Sequence, residues 1–152
     1  MNMQKSALAL RRFCLAASSL VATSAFALDY RSVTEAAAMY DAPSAKAKPL
    51  FVVAAGTPVE VVVSLEGWSK VRDIKGDLVW IEKKFLSDKR SLIVRADRAQ
   101  VRAAADEKAA VVFEAERDVV FELSDTAVGG WVKVKHRDGQ SGFVKLTQVW
   151  GY

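Results

Sequence analysis

Apolar and polar residues alternate most clearly in Val59-Glu60-Val61-Val62-Val63-Ser64-Leu65. Side chains two apart share a face of a strand, and β-branched residues suit that conformation. The segment therefore predicts a half-buried strand with Val59, Val61, Val63 and Leu65 inward and Glu60 outward. Gly67 predicts a tight reversal into a strand over 68–72, and Lys75-Gly76-Asp77 another into 78–82. Upstream, Met39-Tyr40 closes a short strand before the turn Asp41-Ala42-Pro43-Ser44, and the apolar run 50–53 precedes a turn at Gly56-Thr57-Pro58.

The same figure then returns. Gly67, Trp68, Lys70, Val71 and Gly76 are answered 63 positions later by Gly130, Trp131, Lys133, Val134 and Gly139. Val119, Phe121 and Leu123 answer Val59 and its partners at an offset of 62, so the copies differ by one residue, placed here in the turn before the tryptophan. Strands are expected over 92–96 and 99–103, the apolar run 111–113 answers 50–52, and Asp138-Gly139 makes a hairpin turn. The alanine-rich patches near residues 36 and 103 show no 3.6-residue apolar stripe and are not read as helices. A repeat of this length means two copies of one folded unit. Short strands with glycine turns predict an all-β fold of two tandem small barrels, residues 28–86 and 92–152, joined by the polar linker 87–91. Units of this size sit near the lower limit for independent folding, so the two are expected to pack together.

The front of the chain has another character. Lys5, Arg11 and Arg12 precede the apolar run from Phe13 to Ala22, and Ala25-Phe26-Ala27 offers small residues for cleavage after Ala27. This is the pattern of a signal peptide at residues 1–27, too short for a membrane span of roughly 20 apolar residues. Its removal leaves 19 basic against 18 acidic residues, a net charge of +1 in place of +4. A nucleic-acid partner, which needs a basic footprint, is not expected, nor is a membrane span after processing. Cys14 goes with the leader, so the mature chain must hold together by packing, without disulfides. The expected location is the periplasm, or outside the cell.

Catalytic chemistry finds little material. The mature chain offers no cysteine and one histidine, His136, read as a polar strand residue; no catalytic residue, metal site or cofactor is expected. Glu60 and Glu122, at matching repeat positions, are read as solvated surface and not as a facing carboxylate pair. Strand parity groups Trp68 with Lys70 and Arg72, and Trp131 with Lys133 and Lys135, on outward faces opposite Val71, Val132 and Val134. Those tryptophans serve either as a ligand surface or as packing against a loop or the other unit. Trp80 shares parity with Glu82, leaving Ile81 for the core, and Trp150 and Tyr152 are expected to pack onto a barrel.

Gly67-Trp68-Ser69-Lys70-Val71 with Gly76, Trp80-Ile81 and Phe85-Leu86 resembles the bacterial-type Src homology 3 domain family. Gly130-Trp131-Val132-Lys133-Val134 with Asp138-Gly139, Gly142-Phe143-Val144 and Val149 resembles it again; in the first copy Val79 replaces the family's glycine before Trp80. The resemblance implies a five-stranded barrel used outside the cytoplasm for binding, often to cell-wall peptides or as the targeting arm of an enzyme. A looser resemblance to eukaryotic members maps their peptide groove onto Tyr40, Trp68 and Phe85, with Glu82 where they have proline; Arg102 and Gln148 replace two of the aromatics in the second unit. The candidate ligand-binding residues are therefore Tyr40, Trp68 and Phe85, with Lys70 and Arg72 on the Trp68 face to meet carboxylates. The expected partner is a cell-wall peptide or an envelope protein. The alternative is a structural partner in an envelope complex, with no small ligand.

Overall fold

The computed structural model describes residues 27–152; the expected signal peptide, Ala27 apart, lies outside them. Among the described residues, fourteen strands form two antiparallel sheets. The first unit comprises β1 (Asp29–Val33), β2 (Ala37–Tyr40), β3 (Pro49–Val53), β4 (Pro58–Ser64), β5 (Trp68–Arg72), β6 (Leu78–Glu82) and β7 (Leu86–Ser87), in the order β3-β2-β6-β5-β4-β1-β7. The second comprises β8 (Ser91–Val94), β9 (Arg98–Arg102), β10 (Val111–Glu116), β11 (Val120–Leu123), β12 (Trp131–Lys135), β13 (Ser141–Lys145) and β14 (Val149–Trp150), in the order β10-β9-β13-β12-β11-β8-β14. The fold is thus two small barrels of one plan. Seven strands replace the expected five because the first loop of each unit is itself a hairpin, β2–β3 or β9–β10. Single 3₁₀ turns, Lys83–Phe85 and Leu146–Gln148, lead into the closing strands.

Two cores result. Val33, Ala37, Met39, Val59, Val71, Val79 and Ile81 fill the first; Leu92, Val101, Phe121, Val132, Val134 and Val144 are central to the second. Val79, standing where Gly142 stands in the second barrel, is itself buried core. Gly142 has no such room, since a Cβ there would lie 2.5 Å from the Arg102 carbonyl oxygen.

Three local readings need correction. The first strand, Asp29–Val33, gives no alternation strong enough to be read from sequence, yet it pairs with both β4 and β7. In β4, the register against β5 shifts between Val61 and Val63, making Val62 a bulge residue. A bulge reverses the parity beyond it, so Val63 and Leu65 face solvent and not the core. The one-residue difference between the copies also moves. Val61 pairs with Val71 as Leu123 pairs with Val134, and Leu65 N–H donates to the Trp68 carbonyl as Val128 N–H does to that of Trp131. The extra residue of the second copy therefore lies between Leu123 and Val128, not in the glycine turn.

The barrels are docked. Tyr30 of β1 meets Trp150 of β14 edge-to-face, with ring centroids 5.1 Å apart. Arg90 lies 5.4 Å over the Tyr30 ring and donates from Nη2 to the Gly151 carbonyl oxygen at 2.9 Å. Ser91 Oγ donates to the Gly56 carbonyl oxygen across the junction at 2.7 Å. The tail thus packs onto the first barrel, while the Tyr152 hydroxyl accepts from Ala127 N–H at 2.8 Å. Burial, then the Glu60 carboxylate, pushes the Tyr30 hydroxyl pKa up, against the opposing pull of Arg90 and Arg72.

The β12–β13 turn carries a titratable clamp. Asp138 accepts from Gln140 N–H at 2.9 Å and from Gln140 Nε2 at 2.8 Å, and lies 3.0 Å from His136 Nδ1. These contacts, the Gln140 backbone bond first, lower its pKa from 3.8 to about 2. A depressed folded-state pKa contributes stability that is complete above the unfolded value and lost as pH falls through the folded one. Thermal midpoints of Asp138→Asn should therefore fall less steeply than those of the parent between pH 3.8 and about 2. Parallel curves would show that the clamp contributes nothing. Because Asp138 is exposed, the effect is small.

Candidate functional site

The outer face of the first barrel gathers aromatics from three strands. Tyr40 of β2 is the cross-strand partner of Trp80 in β6, and Trp80 is the partner of Lys70 in β5. Trp68, at the start of β5, stands opposite Glu82. Directly paired residues of antiparallel strands share a face, so Tyr40, Trp80, Lys70, Trp68 and Glu82 form one patch. Tyr40 and Trp68 pack edge-to-face, their ring centroids 5.4 Å apart at 86°. That geometry contributes about 0.5–1.5 kcal/mol beyond burial and fixes both rings before any ligand arrives. Lys70 Nζ lies 5.8 Å from the Trp80 ring centroid. All five residues are half-buried.

The five residues expected to bind do not all meet here. Tyr40, Trp68 and Lys70 belong to the patch. Arg72 lies further along β5, where Nη1 donates to Glu60 Oε2 at 2.8 Å. Glu60 is 8% exposed, not the solvated residue expected. It is the cross-strand partner of both Arg72 and Tyr30, so it sits beside the docked tail of the second barrel. Arg72 is occupied in neutralising it. Phe85 packs partly buried against the first core, with Lys84 Nζ 4.9 Å from its ring centroid. Trp80, which is not among the expected binding residues, completes the patch. Its parity was legible, but its place between Tyr40 and Lys70 depends on the β2–β6 and β5–β6 registers.

The equivalent face of the second barrel is different. Trp131 is retained, but Lys145 lies over its ring at 5.6 Å and pairs with Glu107. Arg102, in the position of Tyr40, is tied to the Ala109 carbonyl oxygen at 2.8 Å and to Gln100 Oε1 at 2.7 Å. Phe143, the partner of both Arg102 and Lys133, stands where Trp80 stands, so this face keeps two of the three rings and has a cation in place of Tyr40. His136 falls just past β12, against Phe113 and Phe121 and beside Asp138. Among the described residues no group of three or more His, Cys, Asp or Glu converges to hold a metal.

The model of the family described as "Bacterial SH3 domain" matches the chain twice, at residues 33–88 and 95–151. The chain belongs to the bacterial SH3 domain family. Each match coincides with one barrel, so both copies are bacterial SH3 units. No curated protein matches the chain in sequence. Among solved structures, it is similar to NlpC2 and NlpC1 from Trichomonas vaginalis, at 12% and 14% identity, each with a TM-score of 0.38. A third is an NlpC/P60 family protein from Bacillus cereus ATCC 10987, at 16% identity and a TM-score of 0.37. The alignments cover 82%, 84% and 82% of this chain, but 48%, 47% and 56% of those proteins. The chain thus spans about half the length of each.

Proposed function

We propose that this pair of bacterial SH3 units is an exported, non-catalytic binding module of the cell envelope, with the outer face of the first barrel as its ligand site. The observation that carries this reading is the Tyr40–Trp68 edge-to-face pair, beside Trp80 and Lys70 on an accessible face. Rigid aromatic rings offer contact area at low entropic cost, which is why they often dominate binding energy. Lys70, with no carboxylate partner among the described residues, supplies a charge-assisted donor to a peptide carboxylate. The ligand class this suits is a short acidic peptide: a peptidoglycan stem peptide or a segment of an envelope protein. The leader at residues 1–27 would direct the module to the periplasm or the medium. Arg72 takes a supporting role through Glu60, and Phe85 braces the turn below the face.

The test is retention on purified peptidoglycan. Trp68→Ala removes the ring that Tyr40 leans on without opening the core, so the barrel should stay folded. Its affinity should fall by about 2 kcal/mol or more, roughly thirtyfold, as for a central aromatic anchor. Trp131→Ala should change retention far less. If Trp68→Ala folds and binds as the parent does, the ligand lies elsewhere.

A second reading, a structural partner in an envelope complex, is favoured by one feature. Edge strand β3 of the first barrel exposes Leu50, Phe51 and Val52, an apolar edge able to accept another chain. Envelope proteins co-purifying with the chain while the wall is ignored would support that reading over the first.

A further inference from the structure

Between the two barrels lies a cleft of about 850 Å³, remote from the Tyr40–Trp68 face. The end of β1 and the turn at Ala54–Gly56 form one wall; residues 118–122 and 135–137 of the second barrel form the other; the connecting segment closes the base. Its charge is unbalanced. Lys89, Arg90, Lys135 and Arg137 line it against two carboxylates, Asp118 and Glu122.

The repeat shows that this excess departs from the common plan. In the first barrel Glu60 pairs with its cross-strand partner Arg72. Glu122 and Lys135 occupy the same two positions and are also cross-strand partners. Here, however, Lys89 from the connecting segment takes the Glu122 carboxylate at 2.9 Å. Lys135 is left without an ion pair, and so is Arg137, among the described residues. Two further substitutions between the copies act in the same direction. Asp73, whose carboxylate accepts from the N–H groups of Lys75 and Asp77, is replaced by His136. Ile74 is replaced by Arg137. Both changes shift charge towards positive, and both fall on the wall of the cleft.

Cations beside a partly enclosed, low-dielectric wall focus potential on whatever enters. Val119 and Val120 supply an apolar side to that wall. We propose that the inter-barrel cleft is a second binding site, taking a small ligand with a carboxylate or phosphate group, held by Lys135 and Arg137. Arg90 is held to Gly151 and Tyr30, so it shapes the site from the base. Such a ligand touches both barrels and binds only their docked arrangement. The site is independent of the aromatic face, whose residues do not line it.

The intact two-barrel chain should be titrated separately with inorganic phosphate and with the peptide acetyl-Ala-Glu-Ala, following backbone amide resonances. Saturable shifts confined to residues 118–122 and 135–137 are expected with at least one probe. The probe that saturates at the lower concentration identifies the preferred anion. Lys135→Ala combined with Arg137→Ala should weaken that binding about tenfold or more, as for loss of hydrogen bonds to a charged group. Trp68→Ala should leave it unchanged, separating this site from the aromatic face. Arg137→Glu, at an exposed turn position, repeats the test should the double variant lose its fold. No saturation by either probe at millimolar concentrations, or affinity undiminished in the folded variants, overturns the proposal.

Discussion

Replacing Phe121 by alanine should unfold the second barrel and take the stability of the first with it. Phe121 is fully buried, packs edge-to-face with Phe113 at 6.0 Å, and is the largest side chain of its core. Truncating a buried phenylalanine costs about 3–5 kcal/mol, through lost transfer energy and the cavity left behind. A unit of this size has a margin of only a few kcal/mol, so little or none remains. The first barrel suffers because Tyr30 loses Trp150 and Arg90 loses the Gly151 carbonyl. The parent should therefore melt in one cooperative transition, and Phe121→Ala in one transition at much lower temperature. A variant in which the first barrel melts at its original midpoint, apart from the second, would show that the units are independent beads.

Gly151→Val should pull the barrels apart while leaving each core intact. Gly151 has φ of +110°, a conformation that a side chain resists. A Cβ there would also lie 2.8 Å from the Ser91 carbonyl oxygen and 2.9 Å from Pro58 Cβ. Strain and overpacking together cost about 2–4 kcal/mol, concentrated at the junction. Trp150 should lift from Tyr30, seen as a red shift in tryptophan emission, and the segment around Lys89 and Arg90 should become open to trypsin. Melting and cleavage patterns matching the parent would mean that the tail contributes nothing to docking. Phe121→Ala tests a core and Gly151→Val a junction, so comparing them separates intrinsic from borrowed stability.

Much of the architecture could be read from local chemistry. Glycines at 67 and 130 both take positive φ, 74° and 83°, as reversals before each tryptophan require. Alternation placed Val71, Ile81, Val132 and Val134 inward, and all four are buried. The second-barrel segment Val119-Phe121-Leu123 keeps its parity because no bulge interrupts it. Where the reading failed, a partner strand had overruled the pattern. Val63 and Leu65 turn outward because β4 inserts Val62 against β5, and a bulge is a property of two strands, not of one. Glu60 is buried because Tyr30 and the second barrel's tail come to lie beside it, from a segment about 90 residues away. Strand β1 is not legible locally, since Asp29-Tyr30-Arg31-Ser32 offers neither a clear alternation nor a run of β-branched residues; its pairing with β4 and β7 makes it a strand.

The sequence by itself determined the repeat, the all-β class, the turns and the inward side of most strands, because each depends on residues within a few positions of one another. Tertiary structure alone decided which side chains meet across strands and across barrels. Trp80 joins Tyr40 and Lys70 through register. Arg72 is withdrawn from the aromatic face by Glu60, whereas Lys135, at the same place in the repeat, is released because Lys89 reaches Glu122 first. Equivalent positions thus acquire opposite roles, since electrostatic pairing depends on which charge is nearest in space, and distance in space is fixed only when the barrels dock.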